Sequence, residues 1–121
     1  MATARSPIDG GAVAILRGGC TDHLHRVIDE LAEAGLPAIE VTLNTPGALD
    51  ALRRASRRLG PAVVLGAGTI RKPSDVDDAG AAGVSLVVSG PVVGDALHPG
   101  DVAALAGRAA RLPAAIEEPR R

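Results

Sequence analysis

Residues 39–48 read Ile39-Glu40-Val41-Thr42-Leu43-Asn44-Thr45-Pro46-Gly47-Ala48. Ile39, Val41 and Leu43 alternate with Glu40 and Thr42, which is the period of two that belongs to a β-strand with one apolar face. Thr45-Pro46 then predicts the end of the strand and the start of a helix, because Thr caps a helix and Pro fits its first position. The stretch therefore predicts strand, short loop and helix, with a carboxylate carried mid-strand among apolar neighbours. A bare carboxylate is costly to bury in such a place, so Glu40 is either paired or functional.

The same grammar repeats on both sides. Ala12–Leu16 is a short apolar run ended by Arg17-Gly18-Gly19. Thr21 or Asp22 is positioned to cap a helix whose apolar residues Leu24, Val27, Ile28 and Leu31 fall at helical spacing, and Gly35 and Pro37 end it. The second strand, Ala38–Leu43, leads to a helix that turns Leu49, Leu52 and Leu59 inward until Gly60-Pro61. A third strand over Ala62–Leu65 runs into a Gly66-Ala67-Gly68-Thr69 loop. A helix after Pro73 carries Val76 and Ala79 and stops at Gly83. Val84–Ser89 reads as a fourth strand and residues 100–111 as a fourth helix, with Val102, Leu105 and Ala109 on one face. Strands starting near 12, 38, 62 and 84 and alternating with helices imply right-handed βαβ units and a parallel sheet. The expected organisation is a flexible N-terminus over 1–10, a β/α domain over 11–112 and a polar tail over 113–121.

Composition narrows the class. A chain of 121 residues is one domain, and it contains no Phe, Tyr or Trp. Its core is built from Ala, Val, Leu and Ile, each burying less area than an aromatic, so stability is modest unless another chain completes the core. Thirteen basic and 14 acidic residues leave a net charge of −1, which offers nothing to steer the chain to nucleic acid or a membrane surface. Arg53, Arg54, Arg57 and Arg58 read as the solvated side of the second helix. The single Cys20 has no internal disulfide partner, which points to a reducing compartment. No signal peptide and no apolar run near ~20 residues is seen, so a cytoplasmic protein is expected.

With the strands placed, the chain resembles the front half of the 2-keto-3-deoxy-6-phosphogluconate and 4-hydroxy-2-oxoglutarate (KDPG/KHG) aldolases. Four stretches carry the resemblance in order: Ala12–Gly18, Ile39–Ala48, Gly66–Ile70 and Leu86–Ser89. The Glu-Val-Thr-Leu-Asn-Thr-Pro string is highly specific, whereas Gly-Ala-Gly-Thr alone is weak. The resemblance implies an α/β fold of the (β/α)₈ barrel type, here truncated to about four parallel units, a half-barrel. It implies a class I lyase that uses a Schiff-base lysine and releases pyruvate. Carried over by motif, Glu40 is the general acid/base of the carbinolamine and enamine steps, Arg17 contacts the carboxylate or phosphate end of the substrate, and Thr69 hydrogen-bonds the keto-acid end. The family's lysine lies on a sixth strand and its phosphate loops follow the seventh and eighth, none of which these residues reach. Ser89-Gly90-Pro91 also inverts the family's Ser-Pro-Gly.

Each candidate has a plainer explanation. Glu40 and Arg17 could form a salt bridge across adjacent strands. Lys72, the single lysine, sits beside Arg71 at an exposed helix start, where an amine stays charged and makes a poor Schiff-base nucleophile. Gly66–Thr69 lacks the spacing and distant acid of a dinucleotide site. His23 and His25, two apart on a helix, point away from each other, and His98 stands alone, so neither metal nor cofactor is expected. The expected partner is a 2-keto acid such as pyruvate or a 2-keto-3-deoxy sugar acid, and the chain by itself is expected to be inactive. The alternative is a non-enzymatic half-barrel for oligomerisation or protein binding. Ala12 or Val13, Ala38, Thr42 and alternate residues of 63–65 and 84–88 form its open inner face, which predicts a homo-oligomer.

Overall fold

A computed structural model describes residues 11–92 and 102–117. The order of elements is β1 (Val13–Leu16), α1 (Leu24–Glu33), β2 (Ala38–Thr42), α2 (Ala48–Leu59), a 3₁₀ turn over Gly60–Ala62, β3 (Val64–Gly68), α3 (Pro73–Ala81), β4 (Leu86–Val87) and α4 (Val102–Glu117). The strands form one parallel sheet in the order β1-β2-β3-β4. Each strand lies beside the next in sequence, so the sheet grows in one direction, as the wall of a barrel does.

Register sorts the strand residues onto two faces. Val13 pairs with Ala38, Ile15 with Glu40, Glu40 with Gly66 and Thr42 with Gly68. The intervening residues Ile39, Val41, Leu65 and Ala67 point the other way and join Ile28 of α1, Leu52 of α2 and Val76 of α3 in one buried cluster. The helices therefore cover one face only. On the opposite face the edge strand is open, with Val13 and Ile15 39% and 64% exposed, whereas Ala38 and Thr42, expected on the open face, are 1% exposed each in β2, which is paired on both sides.

Ala48, Ala51 and Ala55 of α2 are buried beside Leu52, while Leu49 and Leu59 are only partly buried. Small side chains let this helix lie close to the sheet, which is how a core without aromatics reaches close packing. The end of α1 follows its sequence signal. Gly35 takes φ 94°, and Leu36 N–H donates to Leu31 C=O at 3.1 Å, closing the helix with a left-handed glycine.

Several expectations are corrected. Helix α2 starts at Ala48 from Gly47, whose φ of 77° breaks the run that Thr45-Pro46 would have begun. Neither Thr21 nor Asp22 caps α1, whose N-cap is His23 without a side-chain bond. Strand β3 runs over Val64–Gly68 rather than 62–65, because Gly60-Pro61 turns the chain through Ala62 first. Gly66-Ala67-Gly68 is thus strand, not loop. Strand β4 is only Leu86–Val87. Helix α4 passes through Pro113 to Glu117, held there by Ala115, which is 5% exposed against the core. The expectations for residues 1–10, His98 and 118–121 lie outside the described residues.

Leu52 is fully buried in an aliphatic core. Leu52→Ala is expected to cost about 2–5 kcal/mol, a large part of a small domain's stability. Leu49→Ala, at a partly buried position, is expected to cost less than half as much. Urea unfolding followed by circular dichroism at the helix band checks both.

Candidate functional site

Glu40 sits at the centre of β2 with 4% of its surface exposed. Its side chain leaves the sheet on the face away from the helices and leans toward the C-terminal end of β3, over Gly68. A Cβ at Gly68 would come within 2.6 Å of the Glu40 carboxyl carbon and overlap a carboxylate oxygen. The missing side chain of Gly68 is the space the carboxylate fills. Among the described residues no hydrogen bond is made to that carboxylate, and burial pushes its pKa above the ordinary value, with the Arg17 guanidinium opposing the shift.

Arg17, one residue beyond β1, does not form the salt bridge that the plainer reading offered. Its Nη2 donates instead to Thr69 Oγ1 at 3.0 Å, and among the described residues no ion pair joins it to Glu40. Arg17 thus acts on Glu40 through space while its guanidinium is tied to the end of β3. Thr69 accepts that bond from a φ of 60°, a left-handed conformation that a β-branched residue rarely takes. The three candidates from the sequence, Arg17, Glu40 and Thr69, come together at the C-terminal edge of the sheet.

Two residues organise this edge in a way the sequence reading missed. Thr42 and Thr45 are buried, and their hydroxyls lie 2.8 Å apart. Thr45 Oγ1 also accepts the Gly18 N–H at 3.3 Å, pinning the loop after Arg17 to the end of β2. The reading gave Thr45 to helix capping; the available signal was its place three residues from Thr42, in the turn closed by Thr45 N–H donating to Thr42 C=O at 2.9 Å. Arg17 and Thr45 also line a pocket of about 240 Å³ that extends to Cys20 and His23 beside α1.

The remaining candidates make no bond to Arg17, Glu40 or Thr69 among the described residues. Lys72 is exposed at the N-cap of α3. His25 Nε2 lies 3.5 Å from Arg54 Nη1, and among the described residues no cluster of His, Cys, Asp or Glu could hold a metal ion. Arg53, Arg54, Arg57 and Arg58 are exposed, and three of them pair with Asp50 or Asp29. No described helix is long and apolar enough to cross a membrane.

A parallel β/α wall with a buried carboxylate at the C-terminal edge has clear counterparts. Residues 9–107 match the model of the family described as "Aldolase: KDPG and KHG aldolase", and the chain belongs to that family. The 2-dehydro-3-deoxy-6-phosphogalactonate aldolase of Escherichia coli (strain K12) is 32% identical over 77 residues, which are 64% of this chain and 38% of that protein. Among solved structures, the 2-keto-3-deoxy-6-phosphogluconate aldolase of Zymomonas mobilis ZM4 with 3-phosphoglycerate superposes with a TM-score of 0.56 at 32% identity, over 64% of this chain and 36% of that one. The KDPG aldolase of Legionella pneumophila, with pyruvate captured at low pH as a covalent carbinolamine intermediate, gives 0.56 at 28% identity, over 64% and 37%. The chain spans under two-fifths of the length of these relatives. Its four β/α units are a partial α/β barrel of the aldolase type.

Two measurements test the geometry. Because the folded protein holds the Glu40 proton more tightly than the unfolded chain does, this group's stabilising contribution is complete below the ordinary value of 4.5 and is lost as pH rises through the raised folded value. Glu40→Gln is therefore expected to gain stability relative to the parent as pH rises above the ordinary value of 4.5, read as a shift in urea midpoint. Gly68→Ala displaces the carboxylate, and carbon-detected NMR titration should find the Glu40 pKa moved back toward 4.5. At position 69, Thr69→Gly and Thr69→Ala both lose the hydroxyl, but only glycine relieves the left-handed backbone. The glycine variant is expected to be the more stable by about 1 kcal/mol in the same urea assay.

Proposed function

We propose that this chain carries the proton-transfer and oxo-acid-binding side of a carbon–carbon lyase site for 2-keto acids. The buried Glu40 supports this reading most directly. A carboxyl group pushed upward by burial, with a cation near it but not bonded to it, keeps its proton to a higher pH and is a better proton donor than an ordinary solvated carboxylate, which supports a role in giving and taking a proton. Arg17 and Thr69, joined at 3.0 Å, present a guanidinium and a hydroxyl at the same edge, the donors a keto-acid carboxylate needs. The relative from Legionella pneumophila holds pyruvate as a carbinolamine, which supports pyruvate or a 2-keto-3-deoxy sugar acid as the ligand class.

These 121 residues contain one lysine, Lys72, and it lies exposed at the N-cap of α3, where its amine stays solvated. A Schiff base needs an amine that is desolvated and within reach of the acid/base group. The chain by itself therefore binds rather than cleaves, and the amine belongs outside it. The exposed Ile15 and Val13 on edge strand β1 favour a second, non-enzymatic reading in which the half-barrel associates with another copy. A cytoplasmic setting fits the exposed, unbridged Cys20.

Incubating the purified 121-residue chain with pyruvate and borohydride, then weighing it, is expected to show no covalent adduct. A mass gain mapping to Lys72 overturns the proposal. Light scattering is expected to find a species heavier than the 12.1 kDa chain; a monomer with a sharp, concentration-independent unfolding transition rules out self-association.

A further inference from the structure

Arg17 is the charged group that acts on Glu40, and its long side chain is held near both ends. The guanidinium donates to Thr69 Oγ1 at 3.0 Å. The main-chain end lies where the sheet stops, since Leu16 and Val41 are the last pair of the β1–β2 ladder. Among the described residues β1 has no strand on its other side. The residue after Arg17 is caught there by Thr45, whose Oγ1 accepts the Gly18 N–H at 3.3 Å.

Thr45 is itself fixed twice by Thr42. Its N–H donates to Thr42 C=O at 2.9 Å, and the two hydroxyls lie 2.8 Å apart. Thr42 and Thr45 are 1% and 3% exposed, so water competes little for these bonds. Helix α2 makes no use of the Thr45 hydroxyl, because its N-cap is Gly47 and no side chain caps it. Thr42 follows Glu40 by two residues on β2 and shares its face. One strand therefore carries both the carboxyl group and the hydroxyl pair that ties down the root of its cation.

We propose that Thr45, held by Thr42, is a positioning residue of the Glu40 site: its hydroxyl fixes the root of Arg17 and so the place of the guanidinium beside the carboxyl group. This role rests on the reading of Arg17, Glu40 and Thr69 as one proton-transfer site. The bond to Thr69 alone does not supply it, because a single contact at the tip of a flexible side chain leaves the main chain at its base free to shift. Arg17 attracts the Glu40 carboxylate through space, and such an attraction weakens as the charges separate. With Arg17 displaced, burial acts on Glu40 with less opposition, and the carboxyl group holds its proton more tightly.

The test is the Glu40 titration midpoint, read by carbon-detected NMR on the full chain. Thr45→Val removes the hydroxyl at nearly the same volume and is expected to raise the midpoint. Thr45→Ser keeps the hydroxyl and is expected to restore the parent value. Arg17→Gln removes the cation and is expected to raise the midpoint at least as far. In an Arg17→Gln chain, Thr45→Val is expected to add nothing, since both act through one group. Should Thr45→Val fail to fold, Gly18→Pro deletes the same bond from the donor side and is expected to raise the midpoint too. The added atoms have room there, with Cys20 O 3.9 Å from a Cβ at Gly18. A merely structural Thr45 lowers the urea midpoint of the variant and leaves the Glu40 titration where it was, which overturns the proposal. An upward shift that persists undiminished in the Arg17→Gln chain, or one that Thr45→Ser does not reverse, overturns it as well. Pyruvate titrated into the parent chain tests the lyase reading separately: absence of saturable binding removes that reading, while the Glu40 midpoints alone decide the link from Thr45.

Discussion

Glu40 occupies its place because Gly68, two residues beyond its pairing partner Gly66 on β3, has no side chain. Strand register makes this arrangement, since a one-residue slip would turn Glu40 toward the helices and bring Ala67 or Leu65 to the open face. Register is in turn held by Ile39, Val41, Leu65 and Ala67, whose burial under α1, α2 and α3 is lost in any other alignment. A hydrophobic layer on one side of the sheet thus sets the position of a carboxylate on the other.

The loops at the C-terminal edge are tied to that sheet by short polar links. Thr42 and Thr45 connect the end of β2 to Gly18, and Arg17 reaches across to Thr69. With its guanidinium engaged by a neutral hydroxyl, Arg17 lowers the cost of charging Glu40 without neutralising it in a salt bridge. The result is a carboxyl group whose protonated form is favoured by burial while a cation stands ready for its charged form. Thr69 holds its end of the link in a strained backbone conformation, a cost that the surrounding packing bears.

The absence of aromatics shapes the rest. Alanines along α2 and α3 bring helices close to the sheet, so a thin aliphatic layer closes the helical side. The opposite side has no such layer, and Ile15 and Val13 stand exposed on it. On that side the inner strand β2 is buried at Ala38, Glu40 and Thr42, and the edge strand β1 is what lies open, short of the cover a parallel sheet normally has on both faces.

Much was legible in the sequence. The alternation of apolar residues around Glu40, the glycine at 35 and the proline at 73 locate four β/α units, because each signal acts within a few residues. Glu40 stood out because a charged residue in a strand pattern conflicts with its neighbours, and Arg17 and Thr69 followed from the family motifs. The tertiary structure decided what depends on contacts between distant residues. It made Gly66-Ala67-Gly68 a strand, moved Thr45 from a cap to a link between loops, extended α4 past Pro113 because Ala115 finds the core, and gave Arg17 to Thr69 instead of Glu40. Local propensity cannot encode those outcomes, since each is settled by which group from another element arrives at bonding distance.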